Sequence, residues 1–275
     1  MQVLIVTSTT DPASVNIYTQ LLDLYDFSLH SSNNDGLDIH KYKNICLTSI
    51  PGSLLTASYV EQWFDSDLII FPSRHTSSSK KPSLTIHPIG NFNTNVDLGG
   101  KPNKLSIAPS LIIKNALISL WNEAKKFNIN NEYDIILEAT HHGDYLNQTP
   151  CFFIEIGSTL EDWTKVILGQ IVAHTIINTS IQSLTGISSI AIGGPHYPSQ
   201  LTQAIIKSDL AIGHIASKHS LKYIDEKMIL EMVNRTHPKP NIITVDWKGL
   251  GTYKSTIISA IDKLGLKWCK IKYFL

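Results

Sequence analysis

Short apolar runs that alternate with helix-like segments constrain the fold of this chain most. The runs occupy residues 2–7, 68–71, 133–137, 152–156, 187–192 and 242–245. Between several of them, apolar residues recur at helical spacing, as in residues 14–25 and 110–127. Continuous apolar runs are typical of strands covered on both faces, and their alternation with helices favours a parallel sheet. The sequence therefore predicts a three-layer α/β/α fold with a largely parallel mixed sheet.

The composition is consistent with one large soluble domain. The chain has 275 residues, 43% of them hydrophobic, and contains no internal repeat and no long linker, which favours a single domain spanning residues 1–275. A formal net charge of zero argues against a globally basic nucleic-acid coat but allows a local basic patch. Arginine occurs only at Arg74 and Arg235, so an arginine inside a motif suggests planar recognition of a carboxylate or phosphate.

The cysteines and the first residues suggest a cellular compartment. Cys46, Cys151 and Cys269 lie in apolar, strand-like runs, which fits reduced thiols better than a disulfide framework. The chain enters its first predicted strand directly, without a charged leader or a long apolar stretch. We therefore expect a cytoplasmic monomer with no membrane partner and no obligate protein partner.

A pair of adjacent histidines follows the apolar run at residues 133–137. The stretch reads Glu138-Ala139-Thr140-His141-His142-Gly143. Successive strand residues point to opposite faces, so two neighbouring imidazoles can turn toward one ligand only where the strand has ended. Other histidines at or near predicted strand ends are His75, His87, His196 and His214. Because ligands of α/β sheets bind beyond the carboxyl ends of the strands, we expect these side chains to gather at one edge.

Such a cluster of imidazoles can bind zinc, act as a general base, or do both. A single histidine at a strand end is more often a hydrogen-bonded structural residue, but six together indicate a site. Their spacing matches no short zinc motif, so the sequence permits a metal without requiring one.

Glu155 lies within an otherwise apolar run. Burial would raise its pKa toward the range useful for proton transfer. The alternative is a structural carboxylate that accepts hydrogen bonds from the backbone amides of the next helix. Ser158 and Glu161 have the spacing of a capping box, which predicts a helix from Ser158 to about residue 182.

Charged and glycine residues follow two further strands. Asp246 and Lys248 bracket Trp247 after the last central strand. A capped turn accounts for Asp246, whereas Lys248 is a candidate to meet a phosphate or polarise a carbonyl group. Gly193 and Gly194 would let backbone amides approach a ligand closely.

Seven motifs in this order cover nearly the whole chain: Ser73-Arg74-His75, residues 85–91, Ala139-Thr140-His141-His142-Gly143, residues 153–158, residues 193–197, Gly213-His214 and residues 245–249. Together they resemble the archaeal and plant type of D-aminoacyl-tRNA deacylase. The resemblance implies an esterase that releases a D-amino acid and free tRNA, and that clears aldehyde-modified aminoacyl-tRNA. It also implies dependence on zinc and a core related to nucleoside phosphorylases and peptidyl-tRNA hydrolases.

The resemblance suggests roles for individual residues. We expect His141 or His142, directly or through zinc, to activate water, and Glu155 to relay a proton. Arg74 and Lys248 would hold the terminal phosphate or the oxyanion. The substrate-binding candidates are Ser73, His87, Asn91, Thr140, Gly143, Gly193, Gly194, Tyr197, Asp246 and Trp247, and the zinc-ligand candidates are His75, His141, His142, His196 and His214.

Binding of tRNA would require local positive charge on the protein surface. Candidates are Lys80, Lys81, Lys101 and Lys104 in two loops, and also Lys125 and Lys126, although each lysine alone is more simply explained by solubility. Two other functions remain open from the sequence. One is a related hydrolase or phosphorylase that acts on a small nucleoside or amide, and the other is a non-catalytic RNA-binding module.

Overall fold

The computed structural model describes residues 1–32, 36–63, 65–181 and 185–275. The helices are α1 Pro12–Leu24, α2 Ser110–Lys126, α3 Leu160–Thr164, α4 Val166–Ile181, α5 Ser199–Lys207, α6 Glu226–Asn234 and α7 Lys254–Lys263. The strands are β1 Val3–Ser8, β2 Ser28–Ser32, β3 Asp38–Tyr42, β4 Ile45–Ile50, β5 Leu68–His75, β6 Ser83–His87, β7 Ala108–Pro109, β8 Asp134–Leu137, β9 Cys151–Gly157, β10 Ile187–Ile192, β11 Leu210–Ala216, β12 Thr236–His237, β13 Ile242–Val245 and β14 Trp268–Lys270. Within these ranges, no helix is both long and apolar enough to span a bilayer.

The strands form two main sheets, and the predicted α/β class with a largely parallel mixed sheet is confirmed. The first sheet has the order β2-β3-β4-β1-β5-β9-β6-β8, and the second has the order β11-β10-β13-β14. All pairs of the second sheet are parallel. In the first sheet, the pairs from β4 to β9 are parallel, whereas β6 runs antiparallel to β9 and β8 runs parallel to β6.

Different elements pack on the two faces of the first sheet. Val3 and Ile5 of β1 belong to a core cluster with residues of α1, α2 and α4. Leu4 and Val6 point to the opposite face, where they join a cluster with loop and 3-10 residues such as Leu54. Loops therefore cover one face of this sheet, and loops are the usual carriers of binding residues.

The helix that was predicted from Ser158 to about residue 182 begins later and is divided. It forms the short helix α3 and, after Lys165, the longer helix α4. The N-cap residue is Thr159 and its capping-box partner is Asp162, so the assignment to Ser158 and Glu161 is wrong by one residue. The reason is that β9 continues through Gly157, and Ser158 then donates its hydroxyl to Lys81 O at 2.9 Å.

Asp162 should contribute more to stability than its neighbour Glu161. The Asp162 carboxylate accepts hydrogen bonds from the Tyr133 hydroxyl at 2.6 Å and from the backbone N–H groups of Ser158 and Thr159. Replacing Asp162 with Ala should lower the free energy of unfolding by about 1–3 kcal/mol, because these buried donors lose their acceptor. Urea denaturation measures this change. The exposed Glu161→Ala variant is the control and should shift stability by less than about 0.5 kcal/mol. An equal loss in both variants would contradict the capping assignment.

Candidate active site

A cavity of about 440 Å³ opens on the loop-covered face of the first sheet. Ser73 and His75 of β5 point into it, as does Glu155 of β9, which pairs with Ser73. Antiparallel β6 places His87 beside Phe153 of β9. His75 and His87 are the last residues of their strands, so the side chains gather at carboxyl ends as predicted, although β6 and β9 run in opposite directions.

The histidine pair turns toward His87, as its position after a strand suggested. The ring centroid of His87 lies 4.1 Å from that of His141 and 4.7 Å from that of His142. Gly143 makes this turn possible because its φ of 94° suits glycine, and a Cβ there would lie 2.9 Å from the side chains of Ile89 and Phe153.

Two buried carboxylates hold His75 between them. His75 Nδ1 lies 3.2 Å from an oxygen of Glu138 and 3.2 Å from an oxygen of Glu155. The Ser73 hydroxyl donates to Glu155 at 2.6 Å, and His196 Nε2 lies 3.0 Å from Glu138. Neither carboxylate is more than 2% exposed. The site is thus a buried network of alternating carboxylates and imidazoles.

This network favours the charged forms of both His75 and Glu155. Burial opposes charge on His75, but the adjacent carboxylates of Glu138 and Glu155 outweigh it and raise the pKa of His75 to about 11. Burial would raise the pKa of Glu155, yet the neighbouring imidazoles of His75 and His87 lower it below its usual range. The expectation of a raised Glu155 pKa is therefore wrong. The backbone amides at the next helix bond Asp162, so that alternative for Glu155 is wrong as well.

The two adjacent histidines are neutral at physiological pH. Burial and the nearby positive charge of His87 lower the pKa of His142 to about 4 and that of His141 well below its usual range. His141 Nδ1 donates to the carbonyl oxygen of Ala139 at 2.7 Å, so Nε2 of the neutral ring carries a free lone pair. His87 likewise places Nδ1 at 3.2 Å from the carbonyl oxygen of Pro88.

These imidazoles fit a metal site. Four buried side-chain atoms of the described residues have no hydrogen-bond partner, and all four lie in this region: Thr85 Oγ1, His87 Nε2, Glu138 Oε1 and His142 Nδ1. Such orphaned atoms are rare in proteins and imply a missing partner. Metal-ligating histidines usually donate their second ring nitrogen to a carbonyl or carboxylate, as His87 and His141 do.

The potential ligand atoms form three overlapping sets. Within each set, the atoms lie no more than 4.8 Å apart: His87, His141 and His142; Glu138, His141 and His196; and His75, Glu138 and Glu155. Three histidine or carboxylate ligands with one open position are typical of catalytic zinc sites. The donor set is therefore compatible with the zinc expected from the sequence resemblance.

Comparison with known proteins identifies the family. The model of the D-aminoacyl-tRNA deacylase family matches residues 63–269. The chain belongs to this family. The D-aminoacyl-tRNA deacylase of Pyrococcus abyssi is 33% identical over 275 residues, covering 97% of this chain and 98% of the relative. That of Picrophilus torridus is 33% identical over 278 residues and covers 98% and 99%. The family predicted from the sequence motifs is confirmed.

One solved structure supports the fold. A protein described as a conserved protein of unknown function, AF0625, has a TM-score of 0.90 at 24% identity, covering 99% of this chain and 96% of that one. Nucleosidases also occur among the neighbours. The 5′-methylthioadenosine/S-adenosylhomocysteine nucleosidase of Campylobacter jejuni has a TM-score of 0.43 at 13% identity, covering 66% of this chain and 98% of that one.

Several residues predicted from the family motifs lie around the histidines. Arg74 and Tyr197 line the first cavity, where the Tyr197 hydroxyl lies 2.9 Å from His75 Nε2. Asn91 and Thr140 line a second cavity of about 480 Å³, which shares the His141–His142 pair with the first. The substrate-binding candidates at these two cavities are thus placed on both sides of the histidine pair.

His214 lies apart from this cluster. It is buried inside β11. The prediction placed this histidine at the end of the strand, but β11 continues for two more residues. His214 Nε2 donates to Ser106 O at 2.9 Å, and Nδ1 lies 3.1 Å from the Thr140 hydroxyl. Burial lowers its pKa to about 4. With both nitrogens engaged, His214 is a structural histidine in this fold and not one of the clustered ligands.

The residues after β10 and β13 also depart from the prediction. A Cβ on Gly193 would lie 2.8 Å from Asp246 O, and one on Gly194 would lie 3.0 Å from Asp246 Oδ2. The close approach at the glycine pair is therefore made by the protein's own chain. Trp247 and Lys248 continue this loop at the second sheet, and neither lines the two cavities that contain the histidine pair.

Some of the lysines predicted to bind tRNA have carboxylate partners. Lys81 forms an ion pair with Asp134, and Lys104 Nζ lies 3.8 Å from Glu231. A partner of opposite charge reduces the attraction of each for phosphate. In the described ranges, Lys80 and Lys101 have no such ion pair, whereas Lys126 pairs with Glu123 at 3.4 Å.

Glu138 was not selected from the sequence, although it is a central residue of the site. It follows β8 directly, and its N–H donates to Ile86 O at 2.9 Å, which fixes it beside His87. The signal was available, because Glu138 heads the stretch that contains the histidine pair. A carboxylate at the end of an apolar strand is informative for the same reason as Glu155 within one.

Glu138 should control the protonation of His75. Replacing Glu138 with Gln removes one of the two charges that hold the proton on His75, so the His75 pKa should fall from about 11 toward the ordinary histidine range. A histidine-selective NMR titration of chelator-treated protein measures this shift. The exposed Glu132→Gln variant should leave the His75 titration unchanged. An unaltered His75 pKa in Glu138→Gln would contradict the proposed network.

Proposed function

We propose that this chain hydrolyses the ester bond of D-aminoacyl-tRNA and releases the D-amino acid and free tRNA. Membership of the deacylase family supports this reaction. The structural observation that carries the proposal is the pair of neutral imidazoles, His141 and His142, which faces the cavity beside the buried carboxylates. An aminoacyl ester is already activated, so its hydrolysis needs a positioned water, a proton acceptor and stabilisation of the oxyanion.

The imidazoles have different tasks from the carboxylates in this proposal. His142 Nδ1 has no protein partner and is free to accept a proton or a hydrogen bond in the cavity. With a pKa of about 4, however, His142 is a weak base toward water, whose own pKa is about 16. Glu138 and Glu155 hold His75 as a cation, and His75 in turn orients the Tyr197 hydroxyl toward the cavity.

The weakness of that base favours the participation of zinc. We propose that His87, His141 and His142 hold the ion, with Glu138 and His196 as adjoining ligands. The orphaned His87 Nε2 and His142 Nδ1 support this assignment. The carboxylates raise the pKa of His87 against the effect of burial, so zinc would displace a proton from this imidazole on binding. In such sites zinc supplies acidification of water and polarisation of a carbonyl group.

The two cavities suggest where each half of the substrate binds. The first contains the carboxylates of Asp11, Glu138 and Glu155, which attract the α-ammonium group of the amino acid. The second contains amide side chains, including those of Asn91 and Asn93, which match the hydrogen-bonding groups of adenine. With this division, the ester bond would lie at the shared His141–His142 pair, and Arg74 at the first cavity would meet the oxyanion or the terminal phosphate.

The choice of enantiomer is the decisive test of this reaction. Purified protein should hydrolyse D-tyrosyl-tRNA much faster than L-tyrosyl-tRNA, and a chelator should remove most of the activity if zinc is required. Release of radiolabelled tyrosine measures both effects, with the spontaneous hydrolysis of each ester as the baseline. Equal enzymatic rates on the two enantiomers would refute chiral proofreading, and full activity after verified metal removal would refute the zinc proposal.

His142 should be essential for the rate. Replacing it with Ala should lower kcat for D-tyrosyl-tRNA by about 100-fold or more, because water loses a positioned base or a metal ligand. His219→Ala provides a control at an exposed histidine outside the two cavities. Wild-type turnover by His142→Ala would exclude His142 from the chemistry.

A further inference from the structure

The loop that follows β13 contributes to a surface of aromatic and basic side chains. Trp247 of this loop stacks on Trp268 of β14, with ring centroids 5.8 Å apart and planes inclined by 6°. Lys254 Nζ lies 4.6 Å from the Trp247 ring centroid, and Lys270 Nζ lies 4.1 Å from it. We call these four residues the Trp247 patch. Three separate segments of the chain, at residues 247, 254 and 268–270, thus meet around one indole.

The patch holds two like charges close together. Because both ammonium groups lie over one ring, they are less than about 10 Å apart, which is roughly one Debye length at 0.1 M salt. Nearby, Lys263 forms an ion pair with Glu226 at 3.2 Å. Lys254 and Lys270 form no ion pair with any of the described residues. The indole attracts each cation by only about 0.5–1 kcal/mol and does not neutralise its charge.

The acidic side chains of the same segments have other partners. Asp246 Oδ1 accepts a hydrogen bond from Gly249 N at 2.9 Å, and Asp262 Oδ1 accepts one from Trp268 Nε1 at 3.2 Å. Lys254 is also the first residue of α7, whose first turn contains no acidic residue. A cation at that end opposes the helix dipole, so helix stability does not explain this lysine. The patch therefore presents positive charge that suits an anionic ligand.

The patch is connected to the active site through one short loop. Gly194 packs against Asp246 and Gly249, next to Trp247. His196, two residues later, bonds the catalytic-site carboxylate of Glu138. Two trans peptide units span at most about 7.6 Å between their outer Cα atoms. A nucleic-acid strand advances about 3.4 Å per stacked nucleotide. The loop at Gly194 therefore lies within a few nucleotide lengths of His196, which lines the cavity.

We propose that Lys254 and Lys270 of the Trp247 patch bind backbone phosphates of the tRNA acceptor strand. This inference rests on the proposed function, since it takes tRNA as the substrate. Phosphate contacts position a nucleic acid and contribute affinity without reading its sequence. The indole orders both ammonium groups in advance, which lowers the entropy lost when phosphates bind. The patch contributes affinity for tRNA and takes no part in the cleavage of the ester.

A charge-removal variant tests this assignment. Lys254→Gln/Lys270→Gln keeps much of the aliphatic length over Trp247 but removes both charges. For D-tyrosyl-tRNA, we expect KM to rise about 10-fold with kcat unchanged. The slope of log(kcat/KM) against log salt concentration should become shallower by about 2, because each lysine accounts for about one released counterion. The rate on D-tyrosyl-adenosine, which has no acceptor stem, should not change.

Matched measurements distinguish the other outcomes. Lys207→Gln/Lys227→Gln removes two charges from exposed lysines of α5 and α6 and should keep the wild-type salt slope. Lys254→Arg/Lys270→Arg should restore the low KM. An unchanged KM and salt slope in the glutamine variant would overturn the proposal, as would an equal loss on D-tyrosyl-adenosine, which would indicate structural bracing of Trp247.

The proposal remains testable if the deacylase reaction itself fails. Fluorescence anisotropy with uncharged tRNA measures binding without turnover, and the glutamine variant should bind about 10-fold more weakly than the wild type. If the wild type binds tRNA more tightly than the glutamine variant but does not hydrolyse D-tyrosyl-tRNA, the proposed function fails while the patch assignment stands. If the wild type and the glutamine variant bind tRNA equally, the patch assignment fails.

Discussion

The buried arrangement of Glu138, His75 and Glu155 is the constraint on which the rest of the site depends. Removing a charge from water costs several kcal/mol, so two buried carboxylates require compensation by cations and hydrogen-bond donors. One protonated His75 between them balances only one of the two charges. The remaining charge favours a cation at His87 itself, whose pKa the carboxylates raise against the effect of burial. Electrostatic compensation, and not geometry alone, therefore explains why imidazoles surround these carboxylates.

The direction of one strand brings these residues together. If β6 ran parallel to β9, His87 would not pair beside Phe153 at the position that faces His141 and His142. The same face is covered by loops, while helices pack on the opposite face. The sheet thus provides rigid positions for Ser73, His75 and Glu155, and the uncovered space between loops becomes the cavity. A rigid support of this kind is what precise placement of reacting groups requires.

Sequence patterns predicted the features that depend on neighbouring residues. The apolar run at residues 242–245 coincides with β13, and the His141–His142 pair turns toward one locus after β8. The division into two sheets and the reversal of β6 depend on pairing between distant segments, which local periodicity does not encode. The low pKa of Glu155 escaped prediction for a related reason. Burial was evident from its apolar neighbours, but the opposing effect of His75, 80 residues away in sequence, was not.

The two sheets provide a physical reason why the motif around Trp247 lies away from the histidine cavities. The motif around Trp247 belongs to the second sheet, where Gly193 and Gly194 leave room for Asp246. The same loop then carries His196 to Glu138 of the first sheet. Glycine at both positions therefore fixes the separation between the two sheet edges, because any Cβ would push Asp246 away and shift His196 with it. A displacement of His196 would weaken its contact with the buried carboxylate of Glu138. The glycine pair is consequently linked to the active site through packing between the sheets.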